Sequence, residues 1–102
     1  MRTLMKVQMD TEAANQAIKN GSLQSVMQST MDMLKPEAAY FTAEGGMRTA
    51  FIIFDLHDPA QMPSIAEPLF QPLKAKISMS PVMNADDLQV GLEQLATTMK
   101  SM

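Results

Sequence analysis

The sequence predicts an α+β domain in which helices cover one face of a four-stranded antiparallel sheet. Three observations predict it. Four short runs alternate apolar and polar residues with the period of a strand. The segments between them carry apolar residues at helical spacing. The chain has 102 residues and shows no internal repeat, so residues 1–102 are expected to form one domain.

The elements follow in order. Arg2 to Met9 alternates, with Thr3, Met5, Val7 and Met9 on one side and Leu4, Lys6 and Gln8 on the other. Asp10 or Thr11 then offers an N-cap. Ala14, Ala17 and Ile18 begin a helical stripe that loses phase at Asn20-Gly21-Ser22. A second stripe runs through Leu23, Val26, Met27, Thr30, Met31 and Leu34. Two helical pieces broken at Gly21 are expected, ending at Lys35-Pro36 because proline disfavours helix in the residue before it.

Ala38 to Glu44 and Met47 to His57 are β-prone runs joined by Gly45-Gly46, a hairpin signal because such turns need positive φ. Asp58-Pro59 supplies a cap and a first-turn proline. Pro63, Pro68 and Pro72 then predict a short or kinked helix over Pro59 to Ala66, with an irregular or second helical turn to Leu73. Lys74 to Ser80 alternates again, and Pro81 suits a strand end. Asn84, followed by Asp86 and Asp87, starts a last helix striped by Leu88, Leu92, Leu95 and Met99. The first six elements make a ferredoxin-like βαββαβ sandwich, to which an extra C-terminal helix is added.

Composition narrows the function classes. Eight basic and eleven acidic residues give a net charge of −3 without any basic cluster, which disfavours nucleic-acid binding. Ala50 to Phe54 is the longest apolar run, far below the ~20 residues of a membrane span. Nothing near the N-terminus resembles a signal peptide, so a bacterial cytoplasmic protein is the default expectation. Without cysteine there is no disulfide or thiolate metal site, and no histidine or carboxylate spacing supplies a zinc site. No metal or cofactor is expected. The twelve methionines read first as flexible core fillers.

The covered sheet face is expected to hold Met5, Val7, Phe41, Ile52, Phe54, Ile77 and Met79. The other face would carry Leu4, Lys6, Gln8, Tyr40, Thr42, Phe51, Ile53, Asp55, Lys76 and Ser78. The run Ala50-Phe51-Ile52-Ile53-Phe54 does not alternate, which marks a strand dry on both sides. Leaving Leu4, Tyr40, Phe51 and Ile53 wet would forgo about 1.5–3 kcal/mol each. A homodimer through this face is therefore expected. The last helix folding back over the sheet is the competing cover.

The stretch Phe54-Asp55-Leu56-His57-Asp58-Pro59, then Pro68-Leu69-Phe70 before a strand ending Pro81-Val82-Met83, resembles the dimeric α/β-barrel superfamily. Pro68-Leu69-Phe70 resembles its muconolactone-isomerase branch, and Ile65 to Leu88 resembles a family of small bacterial proteins of unassigned function. The resemblance implies two sheets closed face to face, with pockets in the barrel or between sheet and helices. Superfamily members include monooxygenases acting on aromatic polyketides, isomerases and haem-degrading enzymes, so fold alone selects no chemistry.

His57 lies between Asp55 and Asp58, where a carboxylate could orient the imidazole as a general base. A polar strand end is the plainer account. Lys6, Gln8, Tyr40, Thr42, Asp55 and Lys76 share the open sheet face, where a buried lysine–Asp55 pair would orient an oxygenated ligand or lock two subunits in register. Glu67, at an expected helix end, would reach a pocket in which Tyr40 or Phe70 stacks on a ring. The leading functional expectation is a homodimeric small-molecule binder with its ligand between sheet and helices. The alternatives are a cofactor-free monooxygenase or isomerase using His57, Asp55 and Tyr40, and an interaction module presenting Met27, Met31 and Met33.

Overall fold

The computed structural model describes residues 1–102. Its elements run β1 (Arg2–Gln8), α1 (Thr11–Lys19), α2 (Ser22–Leu34), β2 (Ala38–Glu44), β3 (Met47–Asp55), a 3₁₀ turn (Pro59–Gln61), α3 (Met62–Leu73), β4 (Lys76–Pro81) and α4 (Ala85–Ser101). The strands form one antiparallel sheet in the order β2-β3-β1-β4. That is the expected ferredoxin-like arrangement with its additional helix.

Local chemistry explains most boundaries. The Asp10 side chain accepts from the Ala13 N–H and opens α1. Gly21, at φ 79°, makes the break between α1 and α2. Lys35 takes a left-handed φ of 43° to close α2 before Pro36. Gly45 and Gly46 have φ of 61° and 79°, the positive pair that a tight hairpin requires.

The third helix departs from expectation. It continues through Pro68 and Pro72 to Leu73 instead of breaking near Ala66. Both prolines lie on the exposed side, as does Ser64, so the carbonyls deprived of an N–H partner at Ser64 and Pro68 can meet water. Glu67 consequently sits mid-helix, not at a helix end.

The core lies between one sheet face and α1 to α3. Met5, Val7, Ile52 and Phe54 from the sheet meet Ala14, Ala17, Ile65, Leu69 and Leu73 from the helices. Ile77 and Met79 pack partly buried against them. Phe41 does not join the core and is 60% exposed. It stands opposite buried Ala50 on the helix side, but on the edge strand β2 the core reaches Ala39 and not Phe41. Met27 and Met31 face this core as well, which removes them from the expected outward methionine surface and leaves Met33 exposed.

The last helix does not fold over the sheet. No residue of α4 is buried, and the molecule extends 59 Å along its longest axis. The radius of gyration is 16.9 Å, against about 13 Å for a compact chain of this length. The projecting α4, about 25 Å long by its rise per residue, accounts for the excess. No helix is long and apolar enough to cross a membrane.

Candidate functional site

A cavity of about 350 Å³ opens where β3 leaves the sheet, between the end of α2 and the start of α3. Phe54, Ile65, Met33 and Leu34 form its apolar wall. Asp55, His57, Asp58, Gln61 and Ser64 supply polar groups. An apolar wall facing a few convergent polar side chains is the usual composition of a small-molecule site, and the volume falls within the usual range of roughly 300–1,000 Å³.

The loop that carries His57 is fixed by a reciprocal cap. The Asp58 carboxylate accepts from the Ala60 N–H at 2.8 Å. Gln61 Oε1 accepts in return from the backbone N–H groups of His57 and Asp58, at 3.1 and 3.2 Å. This is a capping box, with Pro59 in the first turn. It holds the His57 backbone while the imidazole, 74% exposed, remains at the surface.

His57 Nδ1 lies 3.3 Å from Asp55 Oδ2. Asp55 Oδ1 accepts from the N-terminal ammonium of Met1. That hydrogen bond holds the Asp55 carboxyl below its ordinary value of 3.8, helped by the nearby charges of His57 and Arg2 and opposed by partial desolvation. Asp55 therefore stays ionised through the neutral range and presents a negative charge to the imidazole. The other ring nitrogen, Nε2, has no partner within the chain. A carboxylate on Nδ1 with Nε2 free is the arrangement in which an imidazole accepts a proton from a bound molecule.

The remaining expected site residues lie elsewhere. Tyr40 pairs in register with Phe51, four residues and about 13 Å along the sheet from Asp55. It is 66% exposed on the open face and does not line the cavity. Lys6 also stands opposite Phe51, and Lys76 stands opposite Gln8, so neither lysine reaches Asp55. No lysine–Asp55 pair forms within the chain. Lys6 donates instead to Glu44 at 2.7 Å, and Gln8 donates to the Glu44 carbonyl at 3.2 Å. The Lys6 ammonium also sits 5.8 Å from the Phe51 ring centroid. Thr42 is exposed near this group on β2, opposite Thr49.

Glu67 and Phe70 line a second, more apolar groove of about 290 Å³ between α3 and β4, with Met62, Ala66, Ile77 and Met79. Tyr40 cannot share it, because β2 and β4 are opposite edges of the sheet, about 14 Å apart. The expected residues thus fall into three places, and of His57, Asp55 and Tyr40 only the first two meet. Gln61 was missed in the sequence, although Asp58-Pro59-Ala60-Gln61 carries the spacing of a capping box. Met33, Leu34 and Ser64 left no such signal, since only the packing of α2 against α3 brings them to the cavity.

No protein-family model and no curated protein matches the sequence. Among solved structures the chain is similar to 5-chloro-2-hydroxyhydroquinone dehydrochlorinase (TftG) from Burkholderia phenoliruptrix AC1100, in complex with 2,5-dihydroxybenzoquinone. The TM-score is 0.64 at 16% sequence identity, over 84% of this chain and 97% of that one. At this identity the likeness shows the fold. The chain has a ferredoxin-like α+β fold.

Proposed function

We propose that the protein is a homodimeric α/β-barrel protein that binds a small oxygenated ring compound in the cavity beside His57. The observation that carries this reading is the 3.3 Å approach of His57 Nδ1 to an ionised Asp55 at the rim of a half-apolar cavity. Phe54, Ile65 and Met33 would pack on the ring, while His57 and Ser64 would meet its oxygens. The similarity in fold to a protein that holds 2,5-dihydroxybenzoquinone supports a ligand of this size and polarity. The dimer would form through the open sheet face, where Leu4, Phe51 and Ile53 are only half-buried in the single chain.

The same pair of residues favours an enzymatic reading, cofactor-free proton transfer in an isomerase or a monooxygenase. His57 Nε2 would act as the base and Asp55 would stabilise the imidazolium that forms. Tyr40 has no part in it. Titration calorimetry with 2,5-dihydroxybenzoquinone tests the binding reading. Saturable binding that His57→Ala and Ser64→Ala each weaken about tenfold or more would support it. Binding unchanged in both variants, or none at millimolar ligand, would overturn it.

A further inference from the structure

Leu88, Leu92, Leu95 and Met99 project from α4 at 46%, 51%, 50% and 63% exposure. With Ala85 and Met102 they recur at alternating steps of three and four residues, the spacing of a seam by which one helix packs on another. Helices in proteins draw most of their stability from packing of an amphipathic face, and Gly91 weakens this one further relative to alanine.

The rest of the chain cannot supply that packing as it stands. The Val82 N–H donates to the Arg2 carbonyl at 3.1 Å, and Arg2 Nη1 donates to Asp87 at 2.9 Å. Asn84 and Asp87 close a capping box at the same root. These contacts aim α4 away from the body, and only three residues separate it from β4.

We propose that α4 pairs antiparallel with α4 of a second copy of this chain, about a two-fold axis passing between Leu92 and Leu95. The seam is complementary to itself in that register. Leu92 of one copy meets Leu95 of the other, Leu88 meets Met99, and small Ala85 meets Met102. Charge agrees with the antiparallel sense, because the last turn, which carries Lys100, comes level with the first turn of the other copy, which carries Asp86 and Asp87. Glu93 comes level with uncharged Gln94, so no like charges face each other. The pairing surface is isologous, as a two-fold contact between identical chains requires. It is separate from the sheet face, and it adds a second contact to the proposed assembly.

The absence of native cysteine makes the test direct. Full-length Leu92→Cys and Leu95→Cys chains are mixed in equal amounts and oxidised, with Thr97→Cys as an exposed control away from the seam. The mixed 92–95 disulfide should exceed either homodisulfide several-fold, and Leu88→Glu introduced in both chains should abolish the excess. Predominant 92–92 and 95–95 disulfides, or linkage no greater than the Thr97→Cys control, would overturn the proposal. Neither result depends on ligand binding or on the sheet face, so failure here is distinct from failure of the functional reading.

Discussion

Arg2 and Asp87, 85 residues apart in sequence, meet at 2.9 Å between Nη1 and Oδ2. The same guanidinium donates through Nε to Glu37 at 2.6 Å. One side chain at the start of β1 thus ties the entry of β2 to the root of α4. Both carboxylates raise the Arg2 pKa above its ordinary value, Glu37 most strongly, so the cation persists at any working pH. Ion pairs open to solvent contribute little to stability, because water screens them and ordering two long side chains costs entropy. Arg2→Ala should therefore cost little global stability. It should instead speed amide hydrogen exchange at residues 84–88, measured against an unchanged core.

Asp55 gives a pH prediction with a definite sign. Its folded-state pKa lies below 3.8, so the charged form is favoured in the folded protein. The stabilisation is fully present above about pH 4 and is lost as pH falls through the lower folded value. Asp55→Asn should remove this acid-dependent component. Thermal unfolding from pH 2 to 7 should show the variant's deficit at neutral pH shrinking as the pH is lowered.

The core makes a larger prediction. Leu69 is fully buried on α3 against the sheet. Leu69→Ala should cost about 2–5 kcal/mol through lost transfer energy and a residual cavity. Phe41→Ala removes a larger side chain that is 60% exposed and should cost much less. Urea denaturation of the two variants checks the order.

Gly46, at φ 79°, closes the hairpin in the left-handed region. Gly46→Val should cost about 1–2 kcal/mol, because a β-branched residue is disfavoured there although no neighbour blocks its Cβ. Gly91→Ala, on α4 with no positive φ, should instead stabilise that helix. Circular dichroism melts distinguish the two signs.

The element order was legible because its signals are local. The Gly21 break, the Gly45-Gly46 turn and the Asn84 cap each depend on a few adjacent residues. Pro68 and Pro72 misled for the same reason. A helix tolerates them when the carbonyls they orphan face water, and that depends on which side the core takes. Phe41 has the right strand parity for the core, but parity cannot show how far along an edge strand the core extends, and it stops at Ala39. At the site, Asp55 and His57 were close in sequence and stayed close in space. Tyr40, Lys6 and Glu67 were assigned to one site by shared face or shared chemistry, and distances across the sheet separate them.

Native mass spectrometry of the protein as purified from cells tests at once whether it is a homodimer and whether it holds a small molecule. The expected result is an even-numbered assembly of the 11.2 kDa chain that takes up added 2,5-dihydroxybenzoquinone, and takes up less when His57 is replaced by alanine. A monomer that gains no mass from the quinone would contradict it.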